Sequence, residues 1–357
     1  MISVIGAGPA GSYVAYLLAK KGLEVNVYEE HKEIGNPIQC SGVITPALNE
    51  VLKVKKEIIV NKIKKFRFYA PNGKFFEVNI KPDYVFDRGE LDKYIASLAQ
   101  DAGARFLAEK KFLGFEREND KIKLKFNNGF TETDKLIGAD GPYSQVAKSA
   151  GLFGKRKYII GMQARAKIKY HDKNTTDIFL GYGEFGWLIP EDEYTARIGV
   201  VSEKNPTEGF NSLMKRCNAK FICHQSGMIP LYNPKIKTEK NGIYLIGDAA
   251  THVKASTHGS ILYSLLVGQC LSKAITENKS YENLWRKKIG RELWLHLKIR
   301  NTLLKFKEND YNKLVEYFAQ EKVKNILSEN VRDFPSKFIL KLLLSEPRLL
   351  RYSLKAL

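Results

Sequence analysis

Glycines and one carboxylate near the N-terminus are the residues whose types and spacing most directly specify chemistry in this chain. Gly6-Ala7-Gly8-Pro9-Ala10-Gly11 sets glycine at the first, third and sixth positions, and Glu29 stands eighteen residues past Gly11. Gly6 permits a tight turn, Gly8 lets backbone approach a pyrophosphate, and Gly11 lets a helix pack on a strand, while Glu29 can accept hydrogen bonds from a ribose 2′-hydroxyl. That chemistry is dinucleotide binding. A second group could move protons. Cys40 stands in the loop Gly35-Asn36-Pro37-Ile38-Gln39-Cys40-Ser41-Gly42, and His252 and His258 stand around Lys254. Imidazole is the side chain whose ordinary pKa lies near neutrality. The bland readings are a cysteine acting as a small buried hydrophobe, structural histidines and a solvated lysine. Cys217 with Cys223-His224 lacks a fourth ligand, so no metal site is expected.

The elements that must hold these residues are legible nearby. Ile2-Ser3-Val4-Ile5 is a short β-rich run, Tyr13, Val14, Tyr16, Leu17 and Leu18 follow helical spacing to Gly22, and Val25-Asn26-Val27-Tyr28 is a second β-rich run. Pro9 suits a helix's first turn, where its missing N–H costs nothing. The helix N-terminus then offers free N–H groups and a positive dipole to phosphate. The loop after Glu29 should sit at the carboxyl ends of the strands, where open α/β sheets bind ligands.

From Ile58 to Val85 the pattern changes to short alternating runs broken by Pro71-Asn72-Gly73, a hairpin of a different sheet. Helical spacing returns from Asp87 to about Gly103, a hairpin follows around Asn127-Asn128-Gly129, and Lys135-Leu136-Ile137-Gly138-Ala139-Asp140-Gly141 resumes the first texture. Residues 155–240 are strand-rich, and Gly242 to Ala250 returns to the nucleotide-type pattern before a long helix to about Thr276. The expected organisation is α/β (α+β overall). A discontinuous Rossmann-like nucleotide-binding domain would comprise 1–55, 85–150 and 241–276, with an inserted antiparallel-sheet substrate domain at 56–84 and 151–240. A helical C-terminal region would cover 277–357.

Three separated motifs together resemble the FAD-binding fold of the para-hydroxybenzoate hydroxylase type, within the glutathione-reductase superfamily. They are the opening βαβ unit with Glu29, the Ala139-Asp140-Gly141 segment with Ser144 and Val146, and Leu245-Ile246-Gly247-Asp248-Ala249-Ala250. The resemblance implies FAD as cofactor. It implies contacts from Gly6, Gly8, Ala10, Gly11, Glu29 and Glu30 at the adenosine end. Arg88 would take the ribityl-phosphate region and Asp248 a ribityl hydroxyl, with Cys40, Gly42, Asp140, Gly141, Gly247, Gly259, Ser260 and Ile261 also lining the cofactor.

Four local features are similar to the geranylgeranyl reductase family. Pro37 to Gly42 looks like its cysteine-bearing loop, and Phe185-Gly186-Trp187-Leu188-Ile189-Pro190 resembles its aromatic-x-Trp-x-aromatic-Pro motif, with Phe185 and Ile189 replacing Tyr and Phe. Lys254 to Ile261 stands where the family has a Lys-Pro-Thr-Thr-Gly-Gly-Gly-Ile loop beside the isoalloxazine, from which Ala255, His258 and Ser260 depart. Gly227-Met228-Ile229-Pro230 resembles its Gly-x-x-Pro. The family reduces isolated alkenes in polyprenyl chains, often of archaeal ether lipids. An unactivated alkene offers no oxyanion to stabilise, so a site must supply geometry, a dry apolar tunnel and an acid. Cys40 would be that acid or would order the chain. Phe185, Trp187 and Pro190 would contact substrate, His258 would contact substrate or flavin, and Lys254 would offset charge on the reduced flavin. The same fold also hosts FAD monooxygenases, the competing reading, and a non-catalytic prenyl carrier would not keep three FAD motifs.

Lys and Arg number 58 against 39 Asp and Glu, a net charge of +19 that favours anionic partners. Nothing modular supports nucleic-acid binding. No secretory signal or span-length apolar run is evident, so a cytoplasmic protein, peripheral on the membrane face, is expected. From Phe334 to Leu357 the residues Phe338, Ile339, Leu342, Leu343, Leu349, Leu350 and Leu354 fall near helical spacing, among Lys337, Lys341, Arg348, Arg351 and Lys355, with Pro347 splitting the stretch. Such a basic amphipathic segment lies on an anionic bilayer or packs on the core. With no second glycine fingerprint for a nicotinamide, the electron donor is expected to be NAD(P)H or a ferredoxin-like protein.

Overall fold

The computed structural model describes residues 1–118 and 120–353. Leu354 and Lys355, read above as part of the C-terminal helical pattern, lie outside the described residues.

The strand Ile2–Ile5 is buried along its whole length because both of its faces are covered. It pairs in parallel with Lys135–Gly138 on one side and Val25–Tyr28 on the other. Arg105–Leu107 closes one edge and Ile243–Leu245 extends the other, where Glu239–Lys240 adds a short antiparallel strand to make six. One face carries the helices Pro9–Ala19, Arg88–Asp101 and Ile261–Glu277, whose Val14, Leu91, Ile95, Leu265 and Val267 form the main core with Val4 and Val27. The other face carries a three-stranded sheet of Phe112–Glu118, Lys121–Phe126 and Gly129–Thr133. Its Ile122 and Leu124 pack with Ile5, Leu136 and Leu245.

An eight-stranded sheet runs in the order Lys220–Pro230, Tyr158–Lys167, Thr195–Ser202, Phe185–Pro190, Thr175–Leu180, Ile59–Tyr69, Phe75–Phe86 and Val43–Ile44. It is antiparallel except where Thr175–Leu180 meets Ile59–Tyr69 in parallel. Val43–Ile44 follows the cysteine loop and pairs with Val85 and Tyr84 at the edge of this sheet, so the chain passes from one sheet to the other directly after Cys40. The helix Thr207–Arg216 covers one face through Phe210 and Leu213. The helices Glu308–Phe318 and Glu321–Glu329 contribute Val315, Phe318 and Leu327 against Phe66, Phe76 and Val78.

The C-terminal stretch does two things at once. Leu342, Leu349 and Tyr352 pack with Tyr317 and Val323, while Leu340 and Leu344 on the helix Ile339–Ser345 are 67% and 73% exposed.

Candidate functional site

The glycine turn has the geometry its residue types specify. Gly6 adopts φ +100°, a conformation that disfavours side chains, and a β-carbon there would strike the Ala139 carbonyl oxygen. One on Gly11 would strike the Gly6 carbonyl oxygen and lie 3.1 Å from the Ala139 β-carbon, so the opening helix can approach the strand ends only with glycine in place. At Gly8 and Gly141 a β-carbon would meet nothing within 4 Å. Gly8 also caps the helix Pro9–Ala19 without a side-chain acceptor, which leaves first-turn N–H groups for an anion. Glu29 Oε2 accepts from the Ala7 N–H at 2.8 Å and Oε1 accepts from the His31 N–H at 3.0 Å. Beside it lies a cleft of about 350 Å³ lined by Lys32, Ile34, Phe106 and Leu107. Glu30 is half exposed, 3.5 Å from Lys111. Ala10 touches the late turn Gly247–Ala250, since a β-carbon on Gly247 would come 3.0 Å from its own.

Asp140 is committed to local structure. It accepts from the Ser144 hydroxyl at 2.6 Å and the Val146 N–H at 2.9 Å, tying the start of the helix Gln145–Ser149 to the strand end.

The cysteine loop is clamped at three points. A β-carbon on Gly35 would lie 2.7 Å from the Gly89 carbonyl oxygen at the start of the helix Arg88–Asp101. Gln39 lies against Gly227 of the large sheet. Arg197 donates to the carbonyls of Ser41 at 2.6 Å and Phe86 at 2.9 Å while Glu191 holds its Nε at 2.8 Å, and Gly42 lies against Arg197, Phe86 and Arg88. The Cys40 thiol accepts from the Gly42 N–H at 3.4 Å and lies beside the Arg88 guanidinium. Arg88 is a fork on Asp92, at 2.8 and 2.9 Å. Burial disfavours its charge, but Asp92 and Cys40 outweigh that and raise its pKa. Burial pushes the Asp248 carboxyl up, against the Ser260 hydroxyl and the charges of Arg88 and Arg156. Cys40 with Arg88, and Asp248 with Ser260, therefore pair residues from four separate segments, and the charge of Arg88 reaches Asp248.

The aromatic motif reaches the end of the cysteine loop, where Trp187 and Val43 pack on one cluster with Val85 and Ile189. Phe185 and Trp187 lie 5.9 Å apart and pack with Ile159, Val201, Leu231 and Ala255. The Trp187 indole N–H donates to Gln163 at 2.9 Å, and Pro190, at the far end of the strand, accepts from Asn61 at 2.9 Å. His258 stacks on Phe185, centroids 5.6 Å apart and rings within 10°. Its Nε2 is 3.2 Å from Glu184, which Arg300 grips through Nε at 2.9 Å and through Nη2. Burial lowers the His258 pKa, with Glu184 opposing. Burial alone would raise the Glu184 carboxyl, but His258 and Arg300 overcome it and hold it below the ordinary range.

Two basic groups depart from expectation. Lys254 is neither solvated nor unpaired; it is buried in an ion pair with Asp333, which also accepts from the Thr45 hydroxyl at 2.5 Å. Lys254 and Arg332 overcome the burial that would raise Asp333 and hold it near about 2. His252 is fully buried against Trp285, ring centroids 4.4 Å apart, and burial lowers its pKa to about 3. Glu184, Asp333, Arg197 and Arg300 carried no sequence signal, because each works through a partner distant in the chain. Only Glu184, directly before the aromatic motif, stood next to one.

Whether a cofactor ring fits can be tested on polar atoms. The buried Arg88 Nε, Thr257 Oγ1 and both ring nitrogens of His258 lack hydrogen-bond partners of good geometry among the described residues. Buried polar groups are nearly always satisfied, and these three residues belong to the segments expected to border a flavin. They suit a flat ring with donors and acceptors on its edge.

An NAD(P)-binding Rossmann-like domain model matches residues 4–41. A digeranylgeranylglycerophospholipid reductase of Methanocaldococcus jannaschii is 30% identical, the match covering 98% of this chain and 96% of that protein. The crystal structure of a geranylgeranyl bacteriochlorophyll reductase-like protein from Thermoplasma acidophilum superposes with a TM-score of 0.83 at 25% identity, covering 100% of this chain and 98% of that one. A flavin-dependent brominase shares the fold at a TM-score of 0.75 and 18% identity, over 97% of this chain and 99% of its own.

Proposed function

The chain belongs to the digeranylgeranylglycerophospholipid reductase family, and from that premise we propose that it is an FAD-dependent reductase of carbon–carbon double bonds in geranylgeranyl chains carried on a membrane-lipid precursor. The observation that supports this reading is that the Cys40 loop lies beside Arg88 while Trp187 packs on the same cluster as Val43, which directly follows that loop.

FAD would be held at its pyrophosphate by Gly8 and the helix Pro9–Ala19, at its ribose by Glu29, and along its ribityl chain by Arg88 and Asp248. When bound and reduced it supplies hydride. The chain's own residues do the rest. Phe185 and Trp187 exclude water and orient the prenyl chain, and Cys40 orders the alkene beside the ring or supplies its proton. The glycine fingerprint is committed to FAD, so NAD(P)H or a ferredoxin-like protein delivers electrons without a second such site.

Dithionite-reduced protein is expected to be reoxidised anaerobically by a geranylgeranyl lipid, with addition of H₂ per alkene seen by mass spectrometry. Oxygen-dependent NAD(P)H consumption driven by a small aromatic compound would replace this reading with the monooxygenase one. Cys40→Ser is expected to retain FAD and lose most of the reduction; full activity would remove Cys40 from the mechanism.

The substrate also brings the protein to a bilayer. No helix among the described residues is long and apolar enough to cross a membrane. Leu340, Lys341 and Leu344 on the helix Ile339–Ser345, with Lys337 just before it, are instead exposed, apolar and cationic together, which suits an anionic surface. Each leucine fully buried in lipid contributes about 1.5–3 kcal/mol. Leu340→Glu with Leu344→Glu should therefore lower co-sedimentation with anionic vesicles at least about tenfold; unchanged binding would move the contact elsewhere.

A further inference from the structure

We propose that Glu184 and Arg300 are positioning residues that fix the tautomer of His258, leaving its Nδ1 as the atom that supplies the proton in alkene reduction; this rests on the reductase reading above.

The backbone at His258 is left-handed, φ 56°, where a residue other than glycine is strained, and such strain persists only where the surroundings impose it. The surroundings do impose it. The ring is stacked on Phe185 with a side-chain exposure of 5%, and Nε2 faces Glu184 Oε2 at 3.2 Å. Glu184 cannot turn away, because Arg300 holds both of its oxygens and is itself anchored to Glu203 at 2.6 Å. A carboxylate kept ionised in this way only accepts hydrogen bonds. The neutral imidazole must then carry its hydrogen on Nε2, and Nδ1 is left bare.

Neither ring nitrogen makes a hydrogen bond of good geometry among the described residues, but Nε2 has the Glu184 carboxylate at 3.2 Å whereas Nδ1 has no such neighbour. A purely structural histidine would be expected to satisfy both nitrogens. The charged groups facing His258 are Glu184 and Arg300, with Glu203 beyond. Tyr311, near Glu184, donates its hydroxyl hydrogen to the Leu303 carbonyl, and Lys254 in the same loop is committed to Asp333. Nothing else in this surround competes for the ring.

The step balances. A bound, reduced flavin would supply a hydride, whose electron pair accounts for the first C–H bond at one alkene carbon. The π pair of the alkene forms the second C–H bond by taking the proton from His258 Nδ1–H. The imidazolium becomes neutral imidazole and is reprotonated from solvent. Cys40 then orders the alkene and need not donate.

Two measurements test this. Nitrogen-15 NMR of His258 in the purified chain should show the Nε2–H tautomer alone, and Glu184→Gln, whose amide can donate or accept, should admit both. In single-turnover alkene reduction by the reduced holoprotein, the rate should fall as pH rises through the His258 pKa. That fall should lie below the ordinary imidazole range, since burial lowers this group. His258→Asn, a residue that tolerates the left-handed backbone, should cut the rate by about 10²–10⁴ and flatten the profile. Glu184→Gln removes the carboxylate that raises His258 and should shift the fall to lower pH, an effect that a merely structural glutamate would not produce. An Nδ1–H tautomer in the wild type, an unmoved profile in Glu184→Gln, or an undiminished rate in His258→Asn would each overturn the proposal. Should His258→Asn fail to fold, the Glu184→Gln profile and tautomer decide alone. A wild type that reduces no prenyl alkene would overturn the reductase reading instead, and the NMR would still decide whether Glu184 and Arg300 position the ring.

Discussion

At the expected nucleotide end, three glycines within six residues and one carboxylate do with main chain what the expected reacting end assembles from six separate segments. Gly6, Gly8 and Gly11 work by absent side chains, and Glu29 is held by the Ala7 N–H next to them in space. At the other end Lys254 answers Asp333, His258 answers Glu184 and Arg300, and Arg88 answers Asp92 and Cys40, all buried charges or polar groups held against the cost of leaving water. The first construction fails by steric collision and the second by stranding a charge, so substitutions separate them.

Gly11→Val should have the largest effect. Its β-carbon would collide with the Gly6 carbonyl, which is backbone and cannot rotate aside. A loss above about 5 kcal/mol is expected, with no folded soluble protein. A Gly11→Val protein that melts like wild type would show that the opening helix does not depend on this close approach.

Asp333→Asn is next. It keeps the shape but leaves the buried Lys254 ammonium without a counter-ion, which costs about 3–5 kcal/mol. Lys254→Met with Asp333→Leu should recover most of that, because an apolar pair needs no solvation. The pH dependence has a definite sign. The folded Asp333 pKa is depressed to about 2, so its contribution is complete above the unfolded value of about 4 and is lost as pH falls from there toward about 2. Asp333→Asn should abolish that part of the acid sensitivity, measured as the difference in melting temperature across this window. An unchanged acid profile would mean that the ion pair does not carry it.

This contrast also explains what the sequence could disclose. The parallel core of the six-stranded sheet was legible because the cues of its opening unit are local: an apolar run, a glycine turn and a helical stripe within thirty residues. The loops expected to border a cofactor rest on the same kind of local cue, and at Gly8 and Gly141 a β-carbon would meet nothing within 4 Å. The parallel pairing of Thr175–Leu180 with Ile59–Tyr69 was not, since no turn links strands so far apart. Lys254 was open to a solvated or a flavin-facing reading, and its ion pair was not legible because the partner lies seventy-nine residues on, in a stretch whose pattern gives no hint of burial. The C-terminal leucines posed a choice between core and bilayer that periodicity cannot make. Packing divides them, with Leu342 and Leu349 inward and Leu340 and Leu344 outward.

Gly8→Ala should have the smallest effect on the fold and is the sharpest test of the nucleotide end. A β-carbon there meets nothing within 4 Å, and the backbone, φ −67° and ψ −179°, is open to any residue. Losing glycine's freedom in the unfolded chain stabilises by about 0.4–1 kcal/mol, while alanine is a poorer helix cap than glycine by a similar amount. The two nearly cancel, so the apoprotein should melt within about 0.5 kcal/mol of wild type. The space that the new methyl fills is the space through which a pyrophosphate would approach the first-turn N–H groups. FAD titration followed by flavin fluorescence should then show Kd raised at least about tenfold, a loss of about 1.4 kcal/mol. The pairing of outcomes matters: an unchanged melt with weakened FAD places phosphate over Gly8, an unchanged melt with unchanged FAD puts the phosphates elsewhere, and a lowered melt would mean that Gly8, like Gly11, serves packing.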